Sequence, residues 1–205
     1  MMSNGQRIST GQTASAAHGG TERTASIVMT AFFAAVIFLG IQSFRIPLPA
    51  AVGTPFLHFG HIFVMLAIIC LGAKASAVAG VLGLVIFDLL NGYIHAIPNV
   101  FFCTLVKCLL VGTVFAMLKK MAKGNAKKEY GAALICSALY GIANIVLDFA
   151  WSVMELVLIG NSLGAAIAAE ITSIPATIIN AGFTVIGIAL LYIPVVSAYR
   201  RVNSR

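Results

Sequence analysis

Between residues 26 and 195 the chain is a succession of apolar runs, each about as long as a bilayer is thick, separated by short polar breaks. That feature decides the fold class. A membrane-crossing helix needs about 20 mainly apolar residues, within a range of roughly 17–25. The chain is 60% hydrophobic and only 9% charged, whereas soluble domains carry about 25% charged residues. A soluble fold of this length has no interior large enough to hide so much apolar surface.

The breaks divide the chain into six expected spans: about 26–44, a short one ending near Leu71, then about 75–90, 98–118, 131–158 and 164–192. Gly72-Ala73-Lys74 separates the second from the third, KKMAKGNAKKE the fourth from the fifth, and Gly160-Asn161-Ser162 the fifth from the sixth. The reading is an all-α integral membrane protein with six transmembrane helices. Residues 1–25, rich in Ser, Thr, Gly and Ala, contain no apolar run and read as a disordered tail; 26–195 form one membrane domain; 196–205 form a basic tail.

Charge supplies an independent check. With an interior N-terminus, eleven of the 13 lysines and arginines fall on one side: Arg7, Arg23, Lys74, Lys119, Lys120, Lys123, Lys127, Lys128, Arg200, Arg201 and Arg205. The positive-inside rule then puts both termini in the cytoplasm. The net charge of +7 is a topology signal and calls for no nucleic acid. The four cysteines lie inside apolar segments without CxxC spacing, and read as small packing residues rather than metal ligands or disulfide partners.

The remaining charges are expensive. An ionisable residue at the centre of a membrane helix costs at least about 2.5–3.5 kcal/mol, yet Asp88, Asp148, Glu155 and Glu170 all fall within spans. In the six-span topology they share the outer half of the membrane with Asn91, Tyr93, His95 and Asn99, while Lys107 lies near mid-membrane. At 100° per residue, Asn144, Asp148, Trp151 and Glu155 fall at about 0°, 40°, 340° and 20° on one face of the fifth helix. Glu170, Ser173 and Thr177 share a similar sector of the sixth. The layer therefore reads as a solute-binding cavity. Trp151 and Tyr93 are candidates for stacking on a flat ring, Asn91 and Asn144 for hydrogen bonds, and Lys107 for either ligand contact or an internal ion pair.

Catalytic and nucleotide motifs are missing. There is no GxxxxGK[ST], HExxH or GxSxG in the sequence, so neither an enzyme nor a cofactor is expected. A binding protein without an engine implies an engine on another chain. The alternative is an autonomous proton-coupled carrier using Asp148, Glu155 and Glu170 as a relay. A structural subunit, with the acids in internal ion pairs, is a third.

The order of segments resembles the substrate-binding (S) component of energy-coupling factor (ECF) transporters. The resemblance rests on Arg45-Ile-Pro-Leu-Pro, Leu57-His-Phe-Gly-His, Leu71-Gly-Ala-Lys74 before a small-residue helix, Phe87-Asp88-Leu-Leu-Asn-Gly92-Tyr93, and Lys107. It departs from the usual pattern at Ala73, commonly proline, and at His61, commonly aspartate. The resemblance implies capture of a vitamin or related micronutrient outside the cell, driven by a transmembrane coupling subunit and two ATPases. It implies that the 45–59 loop, with Arg45, Pro49, Gly53 and His58, closes the pocket as a lid. Ala31 and Ala35, a small-xxx-small pair, become the contact with the coupling subunit. The acids suggest a pyridoxine-, thiamine- or hydroxymethylpyrimidine-like ligand, although Arg45 and Lys107 suit an anion such as pantothenate.

Overall fold

The computed structural model describes the backbone of residues 4–51, 53 and 55–203, and the side chains of 23–51, 53 and 55–202. The expected disordered tail lies largely outside the described side chains. Among the described residues seven helices and one small hairpin follow in order: α1 (Asn4–Gln42), β1 (Arg45–Pro47), β2 (Phe56–His58), α2 (Gly60–Leu71), α3 (Ala73–Asn91), a single 3-10 turn (Ile94–Ala96), α4 (Ile97–Ala122), α5 (Ala126–Leu158), α6 (Leu163–Ile171) and α7 (Ile174–Asn203). Five of the helices are long and apolar enough to cross a membrane, and α2 is a shorter apolar helix. The chain is an all-α, multi-pass membrane protein with one hairpin inserted.

At the centre stands α2. Its 12 residues rise only about 18 Å, short of a hydrocarbon core about 30 Å thick. Val64, Met65, Leu66, Ala67 and Ile68 are all buried, so it is apolar on every face, as a fully enclosed helix must be. It packs against α1, α3 and α7 and touches α4 and α5, while α1–α3, α3–α4, α4–α5 and α5–α7 contacts join the remaining helices. The outward faces carry Ile27, Leu90, Met121, Ile135 and Leu190, all well exposed. Such a surface suits lipid rather than water.

Local sequence explains the boundaries. Gly72, with φ of +79°, turns the chain from α2 directly into α3, a conformation that residues with a Cβ rarely adopt. Gly92 ends α3 in the left-handed region and donates its N–H to the Asp88 carbonyl, a helix stop of the αL type. Asn125 and Ser162 cap α5 and α6 by accepting from the backbone N–H groups of Lys128 and Ala165.

The expected span at 164–192 is not one helix. It breaks at Thr172-Ser173 into the short α6 and the long α7. The cause is Pro175, which has no N–H to donate to the Ile171 carbonyl one turn back. It is accepted instead in the first turn of α7. Glu170 and Thr177 therefore sit on different helices.

Close approach holds the wall together. A Cβ on Gly83 would lie 2.7 Å from the Ala34 carbonyl oxygen and 2.8 Å from Ile37 Cγ2; on Gly112 it would lie 2.6 Å from Ala73 Cα. Packing of this kind, rather than a hydrophobic drive, holds helices together in lipid. We expect Gly83→Ala to lower stability by about 1–3 kcal/mol, the usual cost of overpacking. The control Gly131→Ala adds its methyl to open space and should cost nothing. Thermal unfolding of the detergent-solubilised variants measures both.

Candidate functional site

Where α2 stops short, the hairpin takes its place. β1 and β2 pair antiparallel, with Arg45 opposite His58 and Pro47 opposite Phe56. The hairpin is held by hydrogen bonds to three helices or their junctions. Asn180 of α7 accepts the His58 backbone N–H at 3.0 Å and donates its Nδ2 to the Phe56 carbonyl at 2.9 Å. This buried amide acts as one more strand partner. Thr172 Oγ1 accepts from the Ala51 N–H at 2.9 Å, and the Gly40 carbonyl of α1 accepts from Phe59 at 3.3 Å.

Beneath this cover lies a cavity of about 480 Å³, within the usual range for small-molecule sites. Asp88, Tyr93, His95, Asn99, Asn144, Asp148, Glu155 and Glu170 line it, as do Gly53 and His58 of the hairpin. A side pocket of about 150 Å³ runs from Asp88 and Asn99 inward to Lys107. All of these residues lie at the end of the bundle opposite the lysine-rich α4–α5 junction. There Arg200 donates to Glu129, the one carboxylate at the basic end among the described residues.

Lys107 is almost fully buried. Its ammonium donates to Asn144 Oδ1 across the α4–α5 seam, lies 3.5 Å from Asp148 Oδ1, and faces the Tyr140 ring at 5.7 Å. Tyr140 in turn shares a hydrogen bond with His61 Nδ1 at 3.1 Å, and the His61 and His58 rings are 4.6 Å apart. A polar chain thus passes from the hairpin to α5. Its members come from four elements: β2, α2, α4 and α5.

Four of the expected residues point elsewhere. Trp151 stacks on Phe102 at 5.6 Å on the outward side of α4 and does not line the cavity. Ser152, the next residue, lines it instead. Trp151 stood at the edge of the predicted sector, and the cavity opens to the other side. Asn91 ties α1 to α3: its Nδ2 donates to Gln42 Oε1 and the Phe87 carbonyl, and its Oδ1 accepts from Arg45. Arg45 lies over the Phe56, Phe87 and Tyr93 rings at 5.6–6.0 Å, and Pro49 is exposed. Sequence reasoning passed over Asn180, Ser152 and Phe56 altogether. Asn180 carried a signal, as a lone amide in an apolar run.

Burial, and then the Lys107 charge, push the His58 imidazole down from its ordinary 6.5 to about 4. It stays neutral and uses Nδ1 to accept the Gly60 N–H at 3.1 Å. Between those two values the unfolded chain takes up a proton that the folded ring refuses. The stability this ring contributes is thus whole above about pH 6.5 and lost as pH falls toward 4. His58→Asn, which keeps an acceptor near the Nδ1 position, should lose less of its melting temperature between pH 7 and pH 4.5 than the parent. Equal losses would show that His58 does not carry the effect. A second expectation concerns Lys107. Asn144→Leu should destabilise by about 1.5–3 kcal/mol, the usual worth of a hydrogen bond to a charged group. Asp148→Asn should cost less, because Asp148 is about a third exposed and farther from the ammonium.

A helical membrane bundle with a solute-sized, acid-lined cavity under a tethered hairpin is the build of a small-molecule binding protein. The sequence profile of the family described as ECF-type riboflavin transporter, S component, matches residues 22–200. The chain belongs to that family. No individual curated protein and no solved structure matches it.

Proposed function

We propose that this chain captures a vitamin-sized compound from outside the cell and depends on separate subunits to bring it in. The observation that carries the reading is the cavity itself. About 480 Å³ of space is walled by Asp88, Asn144, Asp148, Glu155 and Glu170 and roofed by a hairpin that is ordered by Asn180. Polar residues are tolerated at membrane depth where they line such a space. In this reading all six apolar helices are embedded, α2 reaching only partway, and both termini face the cytoplasm. The cavity then opens outward and the lysine-rich junction faces inward, as the positive-inside rule requires.

The family description names riboflavin, which makes a flavin-type vitamin the first compound to try. Transport would then require a coupling subunit and two ATPases. Ala31 and Ala35 are both exposed on α1, whereas Phe33, Ala34 and Ile37 face the core. That stripe of small residues is free to receive another helix closely.

The test uses the purified chain in detergent and a panel of vitamins and their precursors. Native mass spectrometry should show a one-to-one complex with one compound, which also raises the melting temperature. A chain that neither carries nor is stabilised by any of them would sink the reading. Ala31→Trp and Ala35→Trp should keep ligand binding and abolish ATP-driven uptake in proteoliposomes holding the full complex. Uptake by the chain alone, collapsing with the proton gradient, would instead favour an autonomous carrier.

A further inference from the structure

Away from the cavity, a groove of about 340 Å³ runs along the outer seam of α3 and α4. Val78, Val81 and Leu82 form its α3 side and Phe101, Leu105 and Leu109 its α4 side, and no carboxylate lines it. Lys74 stands at the end nearest the lysine-rich α4–α5 junction. The helical repeat puts Lys74, Val78 and Leu82 on one face of α3, so the groove follows that helix for about 12 Å. Lys74 is exposed, and among the described residues its ammonium has no acceptor. A lysine at the end of a membrane helix lays its stem on apolar surface and reaches with its charge for the headgroup level. No side chain caps the first turn of α3, so the helix adds partial positive charge at the same end.

The rim of the groove tells a lipid from a helix. Helices approach each other closely in lipid over small residues. The glycines of this seam are already used inside the bundle: Gly80 meets Thr104 and Val64, Gly83 meets Ala34 and Ile37, and Gly112 meets Ala73. The rim carries Val78, Leu82, Phe101 and Leu109 instead, all exposed. An alkyl chain bends between such branched and aromatic side chains. A helix backbone is held off by them.

We propose that this groove holds an anionic phospholipid, with one acyl chain between α3 and α4 and the phosphate at Lys74. The inference goes beyond the capture reading and requires no solute in the cavity. The lipid belongs to the leaflet on the lysine-rich side, which is the cytoplasmic one in the orientation proposed above. Basic sites between membrane helices on that side suit anionic headgroups. A zwitterionic lipid brings the same chain, but its own ammonium offsets the phosphate charge that Lys74 attracts.

The experiment is native mass spectrometry of the full chain, delipidated in detergent and then given equimolar dioleoyl phosphatidylglycerol and dioleoyl phosphatidylcholine. One phosphatidylglycerol should stay bound, favoured over phosphatidylcholine by about fivefold, the effect of one lysine beside an anionic lipid. Lys74→Gln should bring the two lipids to parity, whereas Lys128→Gln, at the α4–α5 junction, should leave the preference intact. Val78→Trp and Leu109→Trp fill the groove from either helix, and with each the retention of both lipids should be lost. Ile135→Trp, on the outward face of α5, should retain them as the parent does. Thermal unfolding of every variant shows that it is folded, and the exposed Lys74→Gln decides the headgroup contact even where a tryptophan is not tolerated. Parity of the two lipids on the parent overturns the inference, as does a preference that outlasts Lys74→Gln. Loss of the preference in Lys128→Gln as well, or lipid retention unchanged by both groove-filling tryptophans, overturns it too.

Discussion

The shortness of α2 governs the rest of the structure. A helix of 12 residues cannot fill the height of a bundle whose five membrane-length helices run 19 residues or more. The unfilled height must be occupied by something that satisfies its own backbone, because open strand edges are not stable in contact with hydrocarbon. The hairpin meets that requirement. Its strands pair with each other, and Asn180 satisfies groups on the outer edge of β2. The space left between hairpin and helix top becomes the cavity, so the site is a consequence of a length mismatch inside the bundle.

Electrostatics follow from the same geometry. Lys107 and Asp148 approach across the α4–α5 seam, but only the lysine is deeply buried; the aspartate keeps about a third of its side chain open to the cavity. A pair of this form costs less to desolvate than a fully enclosed one. Asn144 completes the coordination of the ammonium without adding charge. The acids beyond the pair are spread over α3, α5 and α6 rather than paired with one another, which leaves the cavity with more carboxyl groups than basic partners.

Much of this was legible in the sequence, because hydrophobic length and charge placement are one-dimensional signals. The long helices, the Gly72 turn and the clustering of Asp88, Asn99, Asp148, Glu155 and Glu170 at one end all follow from counting residues per crossing. Side-chain direction does not. Trp151 lies about 40° from the mean of its predicted neighbours, a small angle on a helical wheel, and it faces the opposite side of the seam from Ser152. Asn91 shares the polar layer but points at Gln42 and Arg45. The division of 164–192 into α6 and α7 hung on Pro175, whose place in a first turn rather than a helix interior depends on the chain before it. Asn180 stands out in the sequence as a lone amide in an apolar run, but its partners are backbone groups more than 120 positions away, and no pattern marks that contact.

The two ends of the bundle are stabilised by different means. At the basic end and midway, helices meet through glycines: Gly112 on Ala73, Gly83 on Ala34 and Ile37, Gly141 on Ala181. These contacts place backbone against backbone, so even small displacements lose packing that close-packed interiors do not recover gradually. At the cavity end the hairpin is fixed by a few hydrogen bonds, two with Asn180 and one each to the Thr172 hydroxyl and the Gly40 carbonyl. Each bond of that kind contributes only about 0.5–1.5 kcal/mol net, and water or a ligand can substitute for any of them. The bundle therefore combines a stiff frame with an exchangeable cover. The acceptors facing the cavity, Asp88 and Asn99 above all, are held on the frame while the ring faces of Phe56 and His58 belong to the cover.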